Sequence, residues 1–205
     1  MARPKQRTPV LRDRVLQVAV QRLVAGGVVG FTTRKVAREA DTSTPAVYEL
    51  FGDKAGLVRA VFFEGFRLLR RSFDQLEEAD DPRASLVRVM ELFRSFVREN
   101  RVLAEVMFSR PFADFDPVPS EIEAGAAVRE FIVDHVRRCI DAGLVTGDET
   151  DVAHVVFSLA QGLAAAETTG RLGTSETSVD RRWALAFEAL LAGLRSPRPS
   201  AGSRS

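Results

Sequence analysis

A helical repeat of apolar side chains runs along nearly the whole chain, and this repeat limits the possible folds more than any other feature. In the first segment, which begins near Pro9, apolar residues recur at intervals of three and four, as on one face of an α-helix. The residues of this face are Val15, Leu16, Ala19, Val20 and Leu23. The same repeat recurs from 53 to a break at 80–82, and at about 83–99, 101–109, 121–142, 149–171 and 179–195. Because the sequence shows neither β-type alternation nor hairpin turn signals, it predicts an all-α protein.

The residues that start and stop helices are closely spaced near the amino terminus. The glycines at 26–27 are predicted to end the first helix. The threonines at 32–33 can cap a second helix that reaches Ala40, because their side-chain oxygens accept from the unpaired amides of a first turn. Polar residues at 41–43 then form a tight turn, since these residue types bond to nearby backbone.

A third helix follows this turn. Pro45 fits its first turn, where the missing N–H is not needed, and Gly52 ends it after Phe51. Two short helices joined by such a turn are typical of a helix-turn-helix, whose second helix enters the major groove of DNA, about 12 Å wide. Val47 and Phe51 can pack inward against the bracing helix, which leaves the small residues at 43–46 free to approach the bases.

Charge is divided unevenly along the chain. Residues 1–60 contain eleven basic and five acidic side chains, although the formal net charge of the whole chain is only +1. This asymmetry favours a polyanion-binding amino-terminal end, but a solvated charged face has the same pattern. Residues 1–8 are predicted to form a flexible basic arm. Lys5, Arg7 and Arg12 are candidates to lie over phosphates or in the minor groove.

The segment from Gly30 to Leu57 resembles the TetR (tetracycline-repressor) family. The family pattern begins with Gly–aromatic–x–Thr, has an Ile/Val–Ala pair in the bracing helix, and ends with Tyr-x-x-Phe followed by Lys and Leu. The matching residues are Gly30, Phe31, Thr33, Val36, Ala37, Tyr48, Phe51, Lys54 and Leu57. In the turn, Asp41 and Thr42 stand where the family usually has glycine and an aliphatic residue. Aspartate tolerates the left-handed conformation that glycine would supply, so the turn is expected to form.

The resemblance implies a DNA-binding role for the residues of this segment. It places Thr33 and Tyr48 on backbone phosphates, Lys54 as an anchor to the DNA backbone, and residues 43–46 on the bases. The predicted DNA-binding set is Thr32, Thr33, Arg34, Thr42, Ser43, Thr44, Pro45, Ala46, Tyr48 and Lys54. For the basic residues within 34–38, contact with DNA and simple solvation are both open.

Similarity to this family continues towards the carboxyl terminus. The segments 92–109 and 157–162 resemble a TetR subgroup that carries Trp, His and Gly where this chain has Phe157, Gln161 and Gly162. The resemblance implies that a larger helical domain encloses a ligand pocket and that the last two long helices pair with a second subunit.

The chain offers residues for both roles. Aromatic side chains with His135 and Gln161 as polar handles would suit a small, largely apolar effector, although aromatics at helical spacing also simply fill cores. The candidate ligand-binding residues are Phe62, Phe66, Phe93, Met107, Phe108, Phe131, His135, Phe157 and Gln161. A homodimer is predicted through about 150–195, where small residues allow helices to approach closely. An apolar stripe on the last helix supports this prediction and contains Trp183, Phe187, Leu190, Leu191 and Leu194.

These patterns predict a three-helix helix-turn-helix DNA-binding domain at 9–55, a helical ligand-binding and dimerisation domain at 56–195, and a disordered tail at 196–205. No apolar run approaches the roughly 18 residues of a membrane span. The basic start also lacks the apolar stretch of a secretory signal, so a cytoplasmic location is expected.

No cofactor, metal site or catalytic residue is expected, because nucleophile, phosphate-binding and metal-ligand motifs are missing. Cys139 is a redox-sensor candidate only if it is exposed and acidic.

The predicted function is a ligand-responsive TetR-type transcriptional regulator. It would bind a palindromic operator in double-stranded DNA as a homodimer and be released by a small-molecule effector. Repression is the family default, and the sequence does not distinguish it from activation. An architectural DNA-binding protein that senses no ligand is the alternative, and an enzyme is a further one.

Overall fold

The computed structural model describes residues 9–77, 80–108 and 119–195, so the predicted arm at 1–8 and tail at 196–205 lie outside the described residues. In these three ranges the chain forms nine α-helices and no β-strand, which confirms the all-α prediction. The helices are α1 (Pro9–Gly30), α2 (Thr33–Glu39), α3 (Thr44–Phe51), α4 (Lys54–Phe73), α5 (Pro82–Glu99), α6 (Arg101–Phe108), α7 (Pro119–Asp141), α8 (Glu149–Thr168) and α9 (Glu176–Gly193).

Polar side chains fix the starts of several helices. Thr32 and Ser43 cap α2 and α3 by accepting from the backbone N–H three residues later. Asp148 caps α8 by accepting from two backbone N–H groups at 2.9 and 3.0 Å, and Ser175 caps α9. Each cap satisfies donors that have no partner inside the helix. These short-range signals explain why most predicted helices begin within a few residues of the observed ones.

The end of α1 differs from the prediction. The backbone stays helical through the glycines at 26–27 and ends at Gly30. Glycine weakens a helix by about 1 kcal/mol relative to alanine, but it does not force the chain out of helical geometry. The predicted stop at 26–27 was therefore wrong by about one helical turn.

The described residues divide into two compact units. The first takes those up to Arg71 and those from Glu99 to Ala127, and the second takes Ser72–Arg98 and the residues from Val128 onwards. This division does not decide the predicted domain limits at 9–55 and 56–195, which stay a prediction.

In the first unit, α1 packs against α2 and α6, and α2 packs against α3. Its core consists of fully or almost fully buried apolar side chains. They include Val15, Ala19, Leu23, Phe31, Val36, Ala40, Val47, Leu57 and Leu103. The helical face predicted for α1 is thus the face that the unit buries.

In the second unit, α8 packs against α9. Phe73 stacks on Phe131 with ring centroids 5.3 Å apart, and Phe93 meets Phe157 edge to face at 5.1 Å. Aliphatic residues of α5, α7 and α8 complete this core, including Leu86, Val89, Ile132, Val136 and Val156. Across the described residues, no helix combines the length and the hydropathy that a bilayer crossing requires.

Candidate DNA-binding site

The turn between α2 and α3 has the geometry that a helix-turn-helix needs. Asp41 adopts a φ of 50°, the left-handed conformation expected of the residue that replaces the usual glycine. The backbone N–H of Ala40 donates to Val36 O at 2.9 Å, and that of Thr42 donates to Ala37 O at 2.9 Å. These bonds close the end of α2 and direct the chain into α3, so the predicted turn at 41–43 is present.

Helix α3 buries one side and exposes the other. Val47 is fully buried, as predicted for the inward face. Pro45 lies in the first turn and is exposed, and Ser43 caps the helix through the N–H of Ala46 at 3.3 Å. The start of α3 therefore presents small side chains to solvent on a helix that is held from behind.

Most of the predicted DNA-binding residues have side chains that solvent can reach. Thr32, Arg34, Ser43, Pro45, Tyr48 and Lys54 are exposed, and Thr42, Thr44 and Ala46 are half-buried. Tyr48 keeps 43% of its surface accessible. Thr33 keeps only 5%, so little of its side chain is available to a phosphate. Its predicted contact, like the roles of the other residues in this set, stays a prediction.

The junction between α3 and α4 depends on two glycines. Gly52 has a φ of 82°, in the left-handed region that favours glycine, and its N–H donates to Tyr48 O at 2.7 Å. Asp53 then accepts from the N–H of Gly56 at 2.7 Å. A Cβ at Gly56 would overlap the carbonyl oxygen of Phe51, so this close approach requires glycine. The junction places Lys54 at the first position of α4.

Two contacts from α1 brace this segment, and sequence reasoning missed both. Arg12 lies in the first turn of α1, with its guanidinium carbon 5.1 Å from the centroid of the Phe51 ring. Arg12 is therefore part of α1, and its place over phosphates or in the minor groove stays a prediction. Arg22 forms an ion pair with Glu39, the last residue of α2. The position of Arg12 three residues after Pro9 was the one available signal, because it places the side chain inside a helix.

The predicted ligand-binding residues of the first unit form a small aromatic group. The Phe62 and Phe66 ring centroids are 5.2 Å apart, and those of Phe66 and Phe108 are 6.0 Å apart. Met107 is buried and packs close to Gly65, where a Cβ would lie 2.7 Å from its Cγ. The structure thus brings these four predicted residues into a connected part of one unit.

The predicted ligand-binding residues of the second unit fall into two pairs. Phe93 contacts Phe157, as described above. His135 is buried, lies 4.4 Å from Phe131 between ring centroids, and has Nδ1 2.8 Å from Phe131 O. Gln161 lies half-buried on α8. The membership of these residues in one pocket stays a prediction.

A groove of about 540 Å³ in the second unit runs between α5 and α9. Its lining includes Met90, Arg94, Trp183 and Phe187, and none of the predicted ligand-binding residues. Three of the apolar side chains predicted to form an intersubunit stripe, Trp183, Phe187 and Leu191, are instead buried within this unit. Trp183 turns inward because its indole N–H donates to Glu167 at 2.8 Å.

Cys139 does not meet the conditions for a redox sensor. It is buried, and its thiol donates to Pro82 O at 3.3 Å. Burial raises the pKa of this thiol, and the charge of Asp81 raises it further. A thiol is reactive when its pKa is lowered and its sulfur is accessible, so neither requirement is met. Within the described ranges, no cluster of His, Cys, Asp and Glu side chains could hold a metal ion.

Two family descriptions match this sequence. The family "Bacterial regulatory proteins, tetR family" matches residues 15–61, which include the helix-turn-helix. The family "Tetracyclin repressor-like, C-terminal domain" matches residues 86–190, just over half of the chain. The subgroup predicted from residues 157–162 stays a prediction.

Individual relatives agree with these matches. The chain is 24% identical over 147 residues to YvkB of Bacillus subtilis (strain 168), an uncharacterised HTH-type transcriptional regulator, and the alignment covers 71% of this chain and 77% of YvkB. A solved structure of a protein of unknown function from Rhodococcus sp. RHA1 is 27% identical with a TM-score of 0.78, covering 95% of this chain and 100% of that one.

A TetR variant from Acinetobacter baumannii AYE in complex with minocycline shares the fold, with a TM-score of 0.63 at 21% identity and coverage of 89% of this chain and 97% of that one. The family matches over both the helix-turn-helix and the longer carboxyl-terminal segment settle the classification. The chain belongs to the TetR family of bacterial transcriptional regulators, which bind DNA through a helix-turn-helix and are not enzymes.

Proposed function

We propose that this regulator is a homodimeric repressor that binds a palindromic operator and is released by a small, largely apolar effector. Residues 9–55 would bind DNA, and residues 56–195 would bind the effector and the second subunit. A regulator that acts on chromosomal DNA works in the cytoplasm. The observation that carries the proposal is the arrangement of α3, whose Val47 is fully buried while Ser43, Pro45 and Tyr48 are exposed.

The small side chains at the start of α3 support direct contact with base edges. Ser43, Thr44, Pro45 and Ala46 allow the helix backbone to approach the major groove closely. Tyr48 lies one turn further along α3 and exposes its side chain, so its hydroxyl is free to donate to a phosphate oxygen. Lys54 follows at the exposed start of α4 and supplies a charge for the same backbone.

The surface of α8 and α9 supports a homodimer. Val155 on α8 and Leu185 on α9 are apolar side chains that remain 48% and 66% exposed in the single chain. Gly162 has no atom within 4 Å of the place where a Cβ would stand, so a second backbone has room to approach it. One recognition helix reads few base pairs, and a dimer would present two of them to half-sites about 34–36 Å apart.

Effector release would follow from a population shift. The ligand would bind more tightly to a dimer whose recognition helices no longer match the operator spacing. The resulting decrease in operator affinity is set by the difference between the ligand's affinities for the two states of the dimer. The aromatic contacts among Phe62, Phe66 and Phe108 in the first unit offer apolar lining for such a ligand. The contact between Phe93 and Phe157 in the second unit is a separate candidate. The A. baumannii relative binds minocycline, which makes a small-molecule site reasonable in this fold.

Selection of genomic fragments by the purified full-length protein tests the proposal. We expect enrichment of a palindromic site whose half-sites are separated by about one helical turn. Release of that site by a compound, with transcription rising in its presence, would support repression. Binding without sequence preference and without any response to compounds would instead favour an architectural protein.

The contact residues are tested on the selected site. We expect Lys54→Ala to lower the slope of log affinity against log salt by about one, with little change in sequence preference. Tyr48→Phe should weaken binding by about 0.5–3 kcal/mol, the range for one hydrogen bond. An unchanged salt slope for Lys54→Ala would remove that residue from the phosphate contacts.

Light scattering at micromolar concentration tests the dimer. We expect twice the chain mass for the native protein and the single-chain mass for Leu185→Glu, because a charge would be buried without a partner in the interface. Val10→Glu is the matched control, since Val10 on α1 is 73% exposed and lies outside the proposed interface. A native protein with the mass of one chain would reject the homodimer.

A further inference from the structure

Arg12 is held at the end of the recognition helix by an aromatic ring. It lies in the first turn of α1, and its guanidinium carbon is 5.1 Å from the centroid of the ring of Phe51, the last residue of α3. The contact joins α1 to the carboxyl-terminal end of α3 within the first unit. The position of this guanidinium is therefore tied to the recognition helix itself.

The same guanidinium remains exposed and carries no carboxylate partner among the described residues. Arg22 on the same helix behaves differently, because its charge is neutralised by Glu39. A guanidinium over an aromatic ring makes a cation–π contact that uses none of its N–H donors. Arg12 thus keeps its donors for an anion.

Phe51 lies between the two side chains that the proposed function assigns to phosphates. Tyr48 precedes it by three residues in α3, and Lys54 follows it by three residues at the start of α4. Arg12 therefore brings a third donor to the segment that already carries these two. The contact with the Phe51 ring also lowers the conformational entropy that the Arg12 side chain loses when it binds, because fewer rotamers remain to be frozen.

We propose that Arg12 is a further phosphate-contacting residue, pre-oriented by Phe51 at the end of the recognition helix. This inference rests on the proposed function, in which α3 binds DNA. Arg12 contributes to affinity and to the placement of α3 in the groove, and it carries no base specificity of its own.

Fluorescence anisotropy with the full-length protein tests this inference. The probes are a labelled 30-base-pair duplex carrying the strongest selected genomic site and a labelled duplex of unrelated sequence. We expect Arg12→Ala to lower the log–log salt slope by about 0.9 on both probes, because one fewer phosphate is neutralised. Affinity at low salt should fall roughly tenfold or more, as for loss of a hydrogen bond to a charged group.

Arg14→Ala is the matched control. Arg14 is exposed two residues further along α1, about 200° around the helix axis from Arg12, and has no partner among the described residues. We expect its salt slope to equal that of the native protein. Equal decreases for Arg12→Ala and Arg14→Ala would show only the general charge of this helix, and would overturn the contact at Arg12.

A second substitution separates phosphate contact from bracing of α3. Arg12→Gln removes the charge but keeps a long, planar-ended side chain over Phe51, so it should show the same decrease in salt slope with an unchanged melting temperature. An affinity loss with a native salt slope in both Arg12 variants would overturn the proposal in favour of bracing alone. Lys54→Ala measured in parallel reports on the proposed function separately, because a failure there leaves the result for Arg12 standing.

Discussion

The guanidinium of Arg94 on α5 donates two hydrogen bonds to the carboxylate of Glu167 on α8, from Nε at 2.8 Å and from Nη2 at 3.0 Å. Both side chains are only 15% exposed. Arg94 Nη1 also lies 2.7 Å from Asp180 on α9, and its guanidinium carbon is 5.2 Å from the centroid of the Trp183 ring. One arginine therefore ties α5 to the two helices of the proposed dimer surface.

We expect loss of Arg94 to destabilise the protein strongly. Arg94→Met would leave the half-buried Glu167 carboxylate with the Trp183 indole and, as its counter-ion, Arg98 Nε at 3.9 Å, so we expect part of the about 3–5 kcal/mol that breaking a buried pair costs. The hydrogen bond to Glu167 raises the pKa of Arg94 above its usual value, although burial opposes this. Arg94 therefore stays charged at any pH suitable for urea denaturation, which measures the loss.

Arg98→Met is the control for this cluster. Arg98 is 47% exposed, pairs with Glu176 at 3.1 Å and lies 3.9 Å from Glu167, a longer contact than that of Arg94, so we expect a loss of at most about 1 kcal/mol. Protein concentration must be equal in all samples, because stability depends on it in a dimer. Equal losses for the two variants would contradict the special role of the Arg94–Glu167 pair.

Gly56→Ala should destabilise the junction between α3 and α4. The added Cβ would overlap the carbonyl oxygen of Phe51, which belongs to the backbone and can move only if the end of α3 moves. We expect a net loss of about 1–3 kcal/mol, as for other overpacked sites, despite the higher helix propensity of alanine. Gly125→Ala on α7 is the control, because nothing lies within 4 Å of its Cβ position. It should be neutral or slightly stabilising in thermal unfolding.

Asp41 should tolerate asparagine and glycine but not alanine. Its φ of 50° costs most residues about 1–2 kcal/mol, whereas asparagine, aspartate and glycine adopt it more readily. We expect Asp41→Ala to lower stability by about 1 kcal/mol. Asp41→Asn removes the charge and keeps the conformation, so its stability should match that of the native protein. A loss of stability in Asp41→Asn would show that the charge, not the backbone, matters.

Cys139 should be unreactive in the native protein. Because burial raises the pKa of its thiol, the folded state holds the proton more tightly than the unfolded chain. This contribution to stability is complete below the ordinary thiol pKa of about 8.5 and is lost as the pH rises through the folded value. At pH 8 we expect a disulfide reagent to label Cys139 slowly until urea unfolds the chain. Rapid labelling without urea would contradict the buried position.

Much of the DNA-binding segment was predictable because its signals are local. A cap at Thr32, a left-handed Asp41, a proline in the first turn of α3 and a glycine at its end each act within a few residues. Hydrophobic periodicity likewise depends only on spacing along one helix. These signals do not show which helices meet, so the bracing by Arg12 could not be found from them.

Local patterns along the chain were enough to predict the all-α class, the helix-turn-helix and the inward face of α3. Which polar and aromatic side chains lie inside depends on how the helices pack. Trp183 belongs to an apolar stripe that suited an exposed interface, yet it turns inward because Glu167 on another helix accepts from its indole. Thr33 is buried for a similar reason, since α1 and α3 both pack against its helix. Partners distant in sequence set the environment of each side chain, and only the packing of whole helices brings them together.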